Sequence, residues 1–154
     1  MTALEQSIIT NDIASVKRLI SDKVKLLEVD RVQRTALFYA VIERKHEIAS
    51  ILLTAGAAVN QQDHLGWTPL HHAVQNYDAT MVSLLIEAGA NVNLADSFGN
   101  SPLWRAVFDS RGRGEVIRAL ICRGADPDLK NKTGVSPREL ATSIANYDVK
   151  SFLN

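Results

Sequence analysis

The chain alternates short apolar stripes with brief polar breaks, and the stripes have helical spacing. Met81, Val82, Leu84, Leu85 and Ile86 crowd the stretch from Ala79 to Ala88. That stretch is too apolar around its circumference for a lone surface helix, so neighbours must cover it on both sides. Just ahead of it, Thr68-Pro69-Leu70 marks a helix start. A hydroxyl takes the N-cap, and proline takes the first helical position, where its missing N–H leaves no bond unmade. The pattern predicts one helix from Pro69 to Asn76 and a second from about Ala79 to Ala88. Near the N-terminus Leu4, Ile8, Val16, Leu19 and Ile20 form a buried stripe, with Glu5, Gln6, Lys17 and Arg18 facing out.

The same marks recur at a fixed interval. Thr35, Thr68 and Ser101 are spaced by 33 residues, and Ser136 follows after 35. Ala40, Ala73, Ala106 and Ala141 keep these intervals, as do Gly56, Gly89 and Gly124, and again Asn60, Asn93 and Asp128. Such a period means stacked units, each burying its apolar face only against its neighbours. The alanines let adjacent helices approach closely. The glycines end the second helix of each unit, where a left-handed residue is preferred. Ser101-Pro102-Leu103 and Ser136-Pro137 repeat the helix start, and Thr35-Ala36-Leu37 keeps the cap without the proline.

Asp63-x-x-Gly66-x-Thr68-Pro69-Leu70-His71-x-Ala73, followed by Leu84-Leu85-x-x-Ala88-Gly89-Ala90-x-Val92-Asn93, resembles an ankyrin repeat. The resemblance implies an all-α solenoid: a β-turn finger, then two antiparallel helices, about five units stacked in a curved array over residues 1–154. On that template the N-terminal cap covers 1–29, the repeats 30–62, 63–95 and 96–130, and the C-terminal cap 131–154. Array ends face water, so caps carry polar residues. Arg138 accordingly stands in the column of Leu70 and Leu103, and a short final helix is expected from about Asp148 to Leu153. Gln33 replaces the finger glycine of the first full repeat, which puts that turn's geometry in question.

Composition narrows the function. Lys plus Arg and Asp plus Glu number 17 each, so no net field draws polyanions. Basic residues crowd the two ends of the chain, but acids offset them, and nucleic acid is not the expected partner. No stretch approaches the roughly 20 apolar residues of a membrane span. The N-terminus lacks the basic start and apolar run of a signal peptide. Cys122 is the only cysteine, which excludes an internal disulfide and a cysteine-based zinc site and fits a reducing cytoplasm.

Catalytic chemistry finds little footing. His71 and His72 are adjacent on a helix and point in different directions, so they do not chelate one metal from one face. His71 also takes the family's structural histidine column, which implies hydrogen bonds tying repeats together. Cys122 reads as a packed thiol in a buried column. No Gly-x-Ser-x-Gly elbow or Walker lysine is present. Arg111-Gly112-Arg113-Gly114 coincides with the two extra residues of the 35-residue interval and reads as a longer helix–helix turn. Its alternative is an anion site built on Arg111 and Arg113. The chain is therefore expected to be non-enzymatic and to carry no cofactor or metal. A hydrolase or transferase using His71, His72 and nearby carboxylates is the competing enzyme reading.

Binding has more support. No Lys or Arg lies between Val59 and Trp104, whereas Asp63, Asp78, Glu87 and Asp96 do, so the middle reads as locally acidic. The resemblance places Trp67 and Phe98 in exposed, variable finger columns, beside Asp63, His64 and Asn100. It places Gln75, Asn76, Phe108 and Asp109 on the concave inner face, and Tyr77 where the family has glycine between the helices. Trp104 and Phe38 replace the structural histidine and are expected to pack between repeats. Trp67 and Phe98 then either cover neighbouring fingers or form an aromatic contact surface. The second reading favours a monomer that binds another protein through that protein's basic and apolar groups. Trp104-Arg105-Ala106-Val107, the Arg-Gly-Arg-Gly insertion and the ending with Asn146-Tyr147-Asp148 resemble small stand-alone bacterial ankyrin-repeat proteins. Some of these act as immunity proteins that neutralise a toxin. Inhibition or neutralisation of a protein target is thus the leading expectation, with a scaffold or regulatory adaptor as the alternative and anion or nucleic-acid binding through the basic ends behind both.

Overall fold

The computed structural model describes residues 1–144 and 148–154; the Asn146-Tyr147 part of the C-terminal resemblance lies outside them. Helices come in antiparallel pairs: α1 (Ala3–Ile9) with α2 (Ile13–Leu19), α3 (Ala36–Ile42) with α4 (His46–Thr54), and α5 (Pro69–Gln75) with α6 (Ala79–Glu87). Next come α7 (Pro102–Phe108) with α8 (Glu115–Ile121), and then α9 (Pro137–Ser143). Short 3₁₀ turns cover Lys23–Leu26 and Lys150–Leu153. The second of these stands where a final helix was expected, and it packs on α8 and α9. No strand is present among the described residues.

The odd-numbered helices stack in one row and α2, α4, α6 and α8 in a second. The first row packs more closely than the second, so the stack bends toward it and makes that side concave. The core runs between the rows through Leu37, Ala40, Leu52, Leu70, Ala73, Leu85, Leu103, Ala106 and Leu120, all fully buried. The alanine column thus lies where the first-row helices meet. Thr68, Ser101 and Ser136 each cap the following helix with a side-chain oxygen. Thr35 does not, and its Oγ1 is buried without a partner.

Near the N-terminus Leu4, Ile8 and Val16 are buried as the stripe predicts, and Leu19 and Ile20 are half-buried. Glu5 departs from its expected exposure. It turns inward because its Oε2 accepts the Thr2 N–H at 2.8 Å, completing a capping box at the start of α1.

Each finger is a turn closed by one side chain. Oδ1 of Asp30, Asp63, Asp96 and Asn131 accepts the backbone N–H groups two and four residues later at 2.8–3.0 Å. The fingers then join in a ladder: the N–H of His64, Ser97 and Lys132 donates to the carbonyl of Val32, Leu65 and Phe98, each at 3.0 Å. Gly66 is required here, since a Cβ on it would fall 2.6 Å from the Ser97 nitrogen. Gln33 adopts the same left-handed backbone, φ 64° against 75° for Gly66, so the first finger keeps its turn at the expense of local strain. The asparagine column ties the opposite edge: Oδ1 of Asn60 accepts the Asn91 N–H, and Oδ1 of Asn93 accepts the Asp126 N–H, both at 2.8 Å.

Candidate partner-binding surface

The middle repeat holds a closed polar network. The Thr68 N–H donates to Nδ1 of His71 at 3.2 Å, which leaves the ring proton on Nε2 to donate to the Asn100 carbonyl of the next repeat, also at 3.2 Å. Burial, the main cause, lowers the His71 imidazole to about 4, so it is neutral near pH 7. His71 therefore ties two repeats together, as its column implied. Its neighbour His72 points elsewhere, donating from Nε2 to Oδ2 of Asp63 at 3.1 Å. Burial lowers His72 as well, so this contact joins a neutral imidazole to a carboxylate. Arg34 lies 3.6 Å from the same oxygen. Burial raises the Asp63 carboxyl, but hydrogen bonds from His72, Leu65 and Trp67 together hold it below the usual carboxylate range.

Asp78 repeats this arrangement at the start of α6. It caps Met81 and receives Arg44 and His46 of the preceding repeat at 3.1 and 2.9 Å. Burial opposes its ionisation, and the bonds from His46, Met81 and Arg44 outweigh that effect, so it too stays below the usual range. Asp96 is buried and accepts two finger N–H groups, while Glu87 lies 3.9 Å from Arg123. The acidic middle expected from charge counting is thus largely internal. These carboxylates serve finger turns and inter-repeat pairs, and the ground for a basic partner falls away.

Trp67 also leaves the surface. It is 8% exposed, with its ring 6.0 Å from that of His71, 5.0 Å from that of His72 and 4.6 Å from the Arg105 guanidinium. Asp63 and Asn100 are buried with it. Phe98, by contrast, is 62% exposed. The difference is one of position within the turn. Arg34, Trp67, Asn100 and Val135 form the column leading into the helix, whereas Val32, Leu65, Phe98 and Thr133 form the finger tips. Leu65 shares the Phe98 column and is exposed, an aliphatic surface residue beside the aromatic one. His64 is exposed beside it.

On the concave side Gln75 is exposed, and Asn76 is half-buried, donating to the Ile42 carbonyl at 3.4 Å. Phe108 is 56% exposed and stacks on the half-buried Trp104 at 5.4 Å between centroids. Phe38, in the same column as Trp104, is fully buried against His72. Burial raises the Asp109 carboxyl, against the pull of Arg105, Arg111 and Arg113. Oδ2 of Asp109 lies 4.0 Å from Nε of Arg105, and neither atom has a hydrogen-bond partner. Trp104 Nε1 and Ser110 Oγ are likewise buried and unpartnered, so four of the six such atoms among the described residues lie in this one stretch. Such clustering singles out a place where local satisfaction has given way to something else.

The insertion is a structural turn. Tyr77, left-handed at φ 51°, donates its hydroxyl to the Arg113 carbonyl, and the Arg113 guanidinium lies 3.9 Å from the Tyr77 ring centre. Arg113 also donates to the Ser110 and Asp109 carbonyls at 3.1 and 3.4 Å. Gly114 lies under the Phe152 ring, which a Cβ would meet at 2.7 Å. Both arginines offered for an anion are exposed, and Arg113 is committed to the turn by its contacts with Ser110, Asp109 and Tyr77. Cys122 is exposed at the end of α8, contrary to the packed thiol expected. The 35-residue interval aligns it with Glu87, the exposed last residue of α6.

Among the described residues no three of His, Cys, Asp or Glu are grouped to hold a metal, and no helix is long and apolar enough to cross a membrane. A family model described as ankyrin repeat matches residues 33–64, and one described as ankyrin repeats in three copies matches residues 55–131. Ankyrin repeats are generally non-enzymatic protein–protein interaction modules. No curated protein matches the sequence.

Proposed function

The chain belongs to the ankyrin-repeat family, and from that premise we propose that it acts by binding another protein through its finger tips and the concave face of the third repeat. One observation carries the reading. The large apolar side chains left exposed among the described residues are Met1, Val24, Leu27 and Val29 at the N-terminal end, and Leu65, Phe98 and Phe108 on two fingers and α7. Two aromatics so exposed in one repeat, with Leu65 exposed on the preceding finger, suit the anchors of a protein contact.

Binding of this kind masks a target, so inhibition or neutralisation is the role we read, including the immunity role suggested by the resemblance to small bacterial repeat proteins. A scaffold would use the same surface without changing its partner's activity. The test is capture of partners from cell lysate by the wild type and by a Phe98→Ala/Phe108→Ala variant, followed by assay of the captured protein. A target held only by the wild type supports the surface, and its inhibition on binding supports neutralisation. Equal retention by both proteins sinks the assignment to these side chains.

A further inference from the structure

We infer that the concave face of the third repeat receives a carboxylate of the protein partner, with Arg105 as its anchoring cation and Phe108 as the apolar neighbour. This rests on the binding-module reading and adds the chemistry of what is bound.

Arg105 stands 33 residues after His72, in the inner-face column of α7. Its guanidinium lies 4.6 Å from the ring centre of Trp67, 5.9 Å from that of Trp104 and 5.7 Å from that of Phe108. Rings from two repeats therefore fix the planar group in place before any partner arrives. A fixed guanidinium gives up little rotamer freedom when a carboxylate joins it, and desolvation by the rings strengthens the pairing. The side chain keeps 17% of its surface open.

Its charge is poorly matched from within. Arg44 and Arg138 meet carboxylates at 3.1 and 2.8 Å, whereas the carboxylate nearest Arg105 is Asp109 at 4.0 Å, beyond hydrogen-bond distance. Arg111 adds an exposed cation on the turn after α7. The outer finger tips carry the same sign through Arg31 and Lys132, and the middle tips, His64-Leu65 and Ser97-Phe98, carry no acid. The acids of the two middle fingers, Asp63 and Asp96, are buried in the turns themselves, and Asp30 of the first finger is half-buried and closes its own turn. A partner complementary to this side presents carboxylates beside apolar groups, opposite in charge to the one that counting residues along the chain implies.

The test uses the whole chain and a displayed library of random peptides. Wild-type protein is expected to enrich sequences pairing Asp or Glu with an aromatic or aliphatic residue. Their affinity should fall about tenfold or more in Arg105→Gln and partly in Arg105→Lys, which keeps charge without the planar fork, and stay unchanged in Arg123→Gln on the far row. Circular dichroism melting checks that the variants fold, and Arg105→Lys decides the matter if Arg105→Gln does not. Selected peptides that are basic, or that bind the Arg105 variants as well as wild type, overturn this inference and leave the binding-module reading standing. Failure to enrich any peptide overturns both.

Discussion

The second and third repeats follow one plan and differ in how completely their polar groups are answered. In the second, Thr68, His71, Asp63, His72 and Asp78 all find partners, and the aromatic ring of Trp67 closes over them. In the third, histidine gives way to Trp104, the His72 column holds Arg105, and the acid at the end of α7 reaches no donor. The second repeat is built for cohesion of the array. The third repeat gives up part of that cohesion, and it is there that the exposed aromatics gather. Natural sequences break their local rules at sites of function more than elsewhere, which is why the unsatisfied stretch draws the binding assignment.

The largest test of this contrast replaces the two finger aromatics separately. Trp67→Ala removes a buried ring and should cost about 3–5 kcal/mol of stability, whereas Phe98→Ala should stay within about 0.5 kcal/mol. Urea melts of the two variants give the comparison, and equal losses would erase it. Next come the acids. Asp63→Ala strips His72 and two finger N–H groups of their acceptor and should cost about 3 kcal/mol, while Asp109→Ala removes a carboxylate that makes no hydrogen bond and should change stability by less than about 0.5 kcal/mol.

Acid sensitivity follows from the same network. His71 is lowered to about 4 in the fold, against an ordinary value near 6.5, so the unfolded chain takes up a proton that the folded one refuses. Its stabilisation is complete above about pH 6.5 and is lost as the pH falls toward 4. His72 acts in the same direction. Asp63 and Asp78, held below the usual carboxylate range, contribute stability that persists to lower pH and disappears only as they are protonated. The denaturation midpoint should therefore drop between pH 7 and pH 5; a flat profile would remove the neutral buried histidine from the account. The smallest effect separates two caps: Thr68→Ala should cost about 1 kcal/mol and Thr35→Ala a few tenths, because only Thr68 makes its cap bond.

The fold was legible because each recurring column answers a geometric need. Hydroxyl caps, inter-helix alanines and left-handed glycines are demands of the backbone, and they leave the same mark in every unit. The surface was only partly legible, because orientation within a finger depends on a two-residue step. Trp67 and Phe98 look alike as finger aromatics, but one leads into a helix and the other sits at a tip. Leu65 could have been found from its spacing of 33 to Phe98, and Arg105 from the same spacing to His72. Charge was the least legible property. Counting acids cannot tell a carboxylate closing a turn from one facing solvent, and it was the burial of Asp63, Asp78 and Asp96 that changed the expected partner.

Amide hydrogen exchange on the chain alone and in complex with its captured partner tests the central claim most directly. The account predicts added protection in the fingers at 64–66 and 97–100 and along 102–109, with the second-row helices α4 and α6 unchanged. Protection confined to α4, α6 and α8, with 97–109 exchanging as in the free chain, would contradict it.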